Sequence, residues 1–214
     1  MIHQIREDLA PYKATLVAVS KTKPEDQIMA LYNEGQRVFG ENRVQELVGK
    51  YESLPKDIEW HLIGHLQKNK VKYIAPFVSM IHSIESLELA QVIDAQAAKH
   101  DRVIDILIQL KIAEEETKFG MDHEECFDII EACQGLENIR VRGLMGMATF
   151  TDDQAQVQQE FRSLKSLFEE CQSMEMKDAS SFDQLSMGMS GDYKLALECG
   201  STMVRIGSLL FGAR

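Results

Sequence analysis

An alternation constrains this chain more than any other feature. Eight apolar runs of strand length alternate with helical patterns between residues 14 and 207, with no linker, repeat or low-complexity segment. The strand runs are "ATLVAVS" (14–20), "RVFG" (37–40), "IEWHLIG" (58–64), "VSMIHSI" (78–84), "VIDILIQLKI" (103–112), "IRVRGLMGM" (139–147), "FDQLSMG" (182–188) and "MVRIG" (203–207). Between them lie segments of helical period. Pro24 suits the first turn of one and Gly35 its end. Another carries Val157, Phe161, Leu164, Phe168 and Cys171 at steps of three and four, an apolar stripe. Strand–helix–strand units pair in parallel through right-handed crossovers. Eight strands joined in this way predict an α/β fold, a closed (β/α)8 TIM barrel, with residues 1–214 forming a single domain. The alternative, an open doubly wound sheet, usually has fewer strands and often a G-x-G-x-x-G turn, which is absent.

In such a barrel, functional residues gather where strands end and βα loops begin. The first strand runs into a lysine, "LVAVSKTKPED". Alternation places Val17, Val19 and Lys21 on one face and Leu16, Ala18 and Ser20 on the other. If the valines fill the barrel, Lys21 points into its mouth; the bland alternative is a solvated side chain. Lys23 competes with it but abuts Pro24 on the loop. After the last two strands come Ser190-Gly191 and Arg205-Ile206-Gly207-Ser208. Backbone N–H groups and hydroxyls there can hold an anion, and barrels commonly bind phosphate after strands seven and eight. Alternatively, Ser190 or Asp192 is a helix N-cap and Gly200 a C-cap. One inward lysine beside a phosphate cradle suggests a phosphorylated carbonyl ligand. An ordinary lysine, with pKa about 10.4, is almost never neutral at pH 7; burial and a nearby cation such as Arg205 would make it nucleophilic.

Charge and cysteines narrow the classes further. Lys+Arg 23 against Asp+Glu 34 gives −11, a field that repels nucleic acid and anionic membranes. The cysteines, Cys126, Cys133, Cys171 and Cys199, form no C-x-x-C pair and no metal-ligand spacing, so reduced, packed thiols and no metal site are expected. No signal peptide or membrane-length run is visible, which points to the cytoplasm.

Six segments, in order, carry a resemblance: "AVSKTKP" (18–24), "FGENRVQE" (39–46), "WHLIGHLQKNK" (60–70), "RGLMGMA" (142–148), "LSMGMSGD" (185–192) and "GSTMVRIGSLLFGAR" (200–214). Through them the chain resembles, over essentially its whole length, the pyridoxal phosphate homeostasis proteins of the YggS/PROSC type. It departs at Gly191, where aspartate or serine is more usual; Ser190 keeps its hydroxyl. The resemblance implies a barrel of the alanine racemase N-terminal-domain type (PLP fold type III) holding pyridoxal 5′-phosphate (PLP) as an internal aldimine on Lys21. It implies Arg205 facing the pyridine nitrogen, Ser190, Gly207 and Ser208 on the phosphate with Ser201 and Thr202 nearby, and Met147 against the ring. Asn42 and His61 would line the pocket; the other readings are a helix N-cap for Asn42 and a hydrogen-bonded core histidine for His61.

An arginine at the pyridine nitrogen leaves that nitrogen unprotonated and the ring a poor electron sink. Alanine racemases add a tyrosine base from a second domain. Here the sequence stops at Arg214, just past the eighth strand, and Tyr12, Tyr32, Tyr51, Tyr73 and Tyr193 match no such motif. The expectation is a monomeric, non-catalytic PLP carrier acting in vitamin B6 and amino-acid balance, with PLP-dependent apoenzymes as recipients. The alternatives are an amino-acid racemase or decarboxylase on the same lysine, or a class I aldolase. The acidic stretch "AEEETKFG" (113–120), leading out of the fifth strand, looks functional by the same resemblance.

Overall fold

The computed structural model describes residues 1–113, 123–176 and 178–212; apart from Ala113, the "AEEETKFG" stretch lies outside them. The strands are β1 (Thr15–Val19), β2 (Val38–Glu41), β3 (Glu59–Leu62), β4 (Met80–Ile84), β5 (Ile104–Leu110), β6 (Ile139–Gly146), β7 (Gln184–Ser186) and β8 (Met203–Ile206). All pair in parallel in chain order, and β1 closes on β8. The closed barrel inferred from the alternation is what forms, and the open sheet is excluded.

The helices are α1 (Ile2–Leu9), α2 (Glu25–Asn33), α3 (Val44–Ser53), α4 (Val71–Ile74), α5 (Leu87–Ala98), α6 (His123–Cys133), α7 (Gln154–Gln172), α8 (Tyr193–Glu198) and α9 (Ser208–Phe211). The strand–helix alternation starts at residue 14, yet α1 precedes it and buries Ile2, Ile5 and Leu9 at helical spacing. The expected helix after β3 is shorter than its pattern, a 3-10 turn (Lys68–Lys70) and then four residues of α4. The stripe on α7 is buried from Val157 to Cys171, and Asp153 caps that helix by accepting from the N–H groups of Ala155 and Gln156.

Alternation along each strand splits the apolar residues into two cores. Leu16, Ala18, Phe39, Trp60, Leu62 and Ile81 face outward and pack under the helices. Val17, Met80, Leu107, Met145 and Met203 form a separate plug inside the barrel, flanked by Val38 and Met147. In β1 this puts Val17 inside and Ser20 outside, the register in which Lys21 points to the mouth. The four cysteines are buried and unpaired. No described helix is long and apolar enough to cross a membrane.

Candidate functional site

A cavity of about 560 Å³ opens at the carboxyl ends of the strands, a size typical of small-molecule sites. Lys21, two residues beyond β1, lines it together with Asn42 after β2 and Ile63 after β3. Gly64 lets the β3 loop pass against the backbone of Asn42, since a Cβ there would stand 2.5 Å from the Asn42 carbonyl oxygen. Asn42 is not a helix cap: α3 begins after Arg43, without a side-chain cap. Met147 and the exposed Phe150 supply the wall after β6. Lys23 also reaches the cavity, but its ammonium donates to the carbonyls of Phe211 (3.0 Å) and Gly212 (3.2 Å), stapling the end of the described chain to the β1 loop.

The loops after β7 and β8 close the opposite side. Ser190, Gly207 and Ser208 line it, and the Gly207 N–H donates to Ser190 Oγ (3.3 Å), tying the two loops together. Asp192 does not cap α8 with its side chain; its carboxylate accepts from the Met189 N–H (2.6 Å) and closes the turn. At Gly207 a Cβ would stand 3.1 Å from the Val19 carbonyl oxygen, so any side chain there would have to displace the end of β1 by a few tenths of an ångström.

Beneath the cavity the barrel interior turns polar. Arg205, 4% exposed, faces the inner side at register with Val17 and also lines the cavity. Its guanidinium donates to the Ser186 carbonyl (2.8 Å), Ser186 Oγ (2.7 Å) and the Gly146 carbonyl (3.0 Å). Ser186 Oγ lies 3.1 Å from His82 Nδ1, and His82 Nε2 2.9 Å from His61 Nδ1. Arginine can only donate, so the Ser186 proton is free to pass on to His82 Nδ1, and His82 Nε2–H then donates to His61. One chain of donors thus runs outward from the cation. Burial pushes His61 down to about 3. It pushes His82 well below the usual range too, aided by His61 and Arg205. Both rings are therefore neutral at pH 7. Burial also lowers Arg205, to about 10, against the attraction of Asp192; its charge survives at neutral pH.

The structure thus brings Lys21, Asn42, Met147, Ser190, Arg205, Gly207 and Ser208 to one cavity. It separates three others. His61 does not line the cavity; it is a buried interior residue bonded to His82, and Ile63, two residues on, takes the wall position. Ser201 and Thr202 precede β8 rather than follow it, so they sit at the amino-terminal end of the barrel. There Ser201 Oγ donates to the Met187 carbonyl (2.8 Å), and Thr202 Oγ1 accepts from the Leu185 N–H (2.7 Å). Neither lines the cavity. Sequence reasoning missed His82, Ser186 and Gln109, three buried polar residues. The available signal was a polar side chain two residues beyond an inward apolar one, as His82 follows Met80 and Gln109 follows Leu107.

The family model described as "Alanine racemase, N-terminal domain" matches residues 2–214. The chain is similar to the pyridoxal phosphate homeostasis protein of Aquifex aeolicus, 44% identical over 202 residues, covering 94% of this chain and 87% of that one. It is 39% identical to the human protein of the same name over 222 residues, 97% of this chain and 79% of the other. Among solved structures it is similar to PipY of Synechococcus elongatus with PLP bound, with TM-score 0.83, 34% identity and coverage of 98% and 100%. Alanine racemase from Bartonella henselae shares the fold at 16% identity, with TM-score 0.73, over 99% of this chain and 57% of that one.

Proposed function

The chain belongs to the alanine racemase N-terminal-domain family and, within it, to the pyridoxal phosphate homeostasis proteins, and from that premise we propose that it binds PLP on Lys21 and carries it without catalysis. One observation carries this reading: a lysine, an arginine and two serine hydroxyls from the adjoining loops after β7 and β8 line the same cavity. The donor set fits the group. Ser190, Ser208 and the side-chain-free wall at Gly207 suit a phosphate, Lys21 an aldehyde, and Arg205 a ring nitrogen that must accept a hydrogen bond. Asn42 and Met147 complete the walls. When bound, PLP would supply an electrophilic aldehyde carbon, and Lys21 is the residue whose amine would hold it.

Two observations favour a carrier over a racemase or decarboxylase. The cation on the cavity floor is an arginine, which would donate to a pyridine nitrogen and, unlike a carboxylate, would not hold a proton there. None of the five tyrosines lines the cavity; Tyr193 spends its hydroxyl on Asp8 (2.6 Å) and Tyr32 on Asp57 (2.7 Å). We take the carrier to be a cytoplasmic monomer that hands PLP to apoenzymes.

The test is an absorption spectrum of the protein with PLP, followed by borohydride reduction and peptide mass mapping. A reducible visible band with the mass added at Lys21, lost in Lys21→Ala, is expected. Mass added at Lys23 alone would sink the assignment. Rapid α-hydrogen exchange of an L-amino acid by the loaded protein would replace the carrier by the racemase.

A further inference from the structure

Outside the barrel wall, under α3, lies a buried cluster of charges that the cavity does not contain. Lys50 has a side chain only 8% exposed. Its ammonium donates to Glu41 Oε1 (2.7 Å), Glu46 Oε1 (2.7 Å) and the Ser20 carbonyl (2.8 Å), which fills its three N–H groups. Glu41, fully buried at the end of β2, also accepts from Ser20 Oγ (2.6 Å), while its Oε2 is buried with no partner. Glu46 Oε1 accepts a further bond from the Thr22 backbone N–H (2.6 Å).

These contacts converge on residues 20 and 22, on either side of Lys21. Thr22 has φ +64°, a left-handed conformation that is a genuine outlier for a β-branched residue. Such a backbone persists only where its surroundings impose it, and the bond from its N–H to Glu46 is the visible imposition. Apolar side chains would fill the space under α3 at least as favourably as a desolvated ion cluster with an orphaned oxygen. What the charges add is direction, since donors and acceptors fix one geometry where apolar packing would tolerate several.

We propose that Lys50, acting through Glu41 and Glu46, is a positioning residue that clamps the backbone on both sides of Lys21 and so aims its amine into the cavity. This rests on the reading of Lys21 as the cofactor-bearing lysine. Lys50 and Glu41 touch nothing in the cavity and act only through the turn at residues 20–22.

Glu46→Ala carries the test. Its side chain is 23% exposed, so its removal releases the Thr22 N–H to water without opening a cavity in the core. Glu46→Gln keeps an oxygen that can accept from Thr22. The first readout needs no cofactor: hydrogen exchange of the Thr22 amide in the unloaded protein, expected to be protected in wild type and Glu46→Gln and to lose protection in Glu46→Ala. The second is the rate of formation of the reducible band on adding PLP, expected to fall about tenfold in Glu46→Ala and to recover in Glu46→Gln. Lys50→Met leaves its acceptors without a donor; where it folds, it should load more slowly still, and where it does not, the Glu46 pair decides alone. Wild-type loading and Thr22 protection in Glu46→Ala would overturn the clamp while leaving PLP binding at Lys21 intact. A wild-type protein that forms no adduct at Lys21 would overturn the functional reading instead.

Discussion

Arg205 shows how a single side chain serves both the core and the cavity. Its guanidinium is anchored by two carbonyls and a hydroxyl from β6 and β7, so it enters the cavity floor already oriented. Arg205→Leu would leave the Ser186 and Gly146 carbonyls and the serine–histidine chain without their donor. We expect a loss of about 2–4 kcal/mol in stability, read by urea denaturation, and at least about tenfold weaker PLP binding, read by spectroscopic titration. Arg205→Lys keeps a charge but cannot reproduce the planar fork, and should fall between wild type and leucine in both. Undiminished PLP affinity in Arg205→Leu would show that the guanidinium serves the barrel core alone.

At the scale of elements, the two loops that follow β7 and β8 define the anion end of the cavity. Gly207→Ala would push a methyl group to 3.1 Å from the Val19 carbonyl and 3.3 Å from its Cβ, at the last residue of β1. β1 leads directly to Lys21, so a shift of a few tenths of an ångström there is expected to raise the PLP dissociation constant about tenfold, at a stability cost of about 1 kcal/mol. Gly191→Ala is the control: a Cβ there meets nothing within 4 Å, and titration should return the wild-type constant. The strands themselves were legible in the sequence, because parallel strands buried on both faces read as continuous apolar runs. α1 was not read, because its amphipathic pattern precedes the first strand, outside the alternation. The cavity was legible where a residue ends a strand, as with Lys21, Asn42 and Arg205. Ser201 and Thr202 were misplaced because a motif shared with a family does not say at which end of the strand its hydroxyls fall. His61 was misplaced because a polar residue on the inner face can serve a buried layer as well as a ligand. The clamp under α3 was invisible: nothing in "FGENRVQELVGK" says that Glu41 and Lys50 are buried between the barrel wall and α3.

At the scale of the whole molecule, the barrel's polar interior makes its stability depend on pH. An unfolded histidine takes up a proton near pH 6.5, whereas His61 in the barrel resists protonation down to about 3 and His82 is held well below its ordinary value. Below about pH 6.5 the unfolded chain therefore binds protons that the folded one refuses. The stability is complete above that pH and is lost as the pH falls towards the folded values, by about 1.4 kcal/mol per pH unit for each histidine. Glu41 works in the opposite sense. Burial raises its carboxyl against the bonds from Lys50 and Ser20, so the folded state gains protons there on acidification and offsets part of the loss. The half-buried Asp8 and the exposed Asp57, both lowered chiefly by hydrogen bonds from tyrosines, begin to matter only below the ordinary carboxylate range. Two histidines against one glutamate leave a net loss of roughly 2–4 kcal/mol by pH 5, a large share of a typical domain's stability of about 5–15 kcal/mol. Urea denaturation between pH 7.5 and 5 should show this decline, and replacing both His61 and His82 by glutamine should flatten it even if the variant is less stable at pH 7.5. An unchanged slope in that variant would mean that acid opens the protein through groups outside the barrel interior.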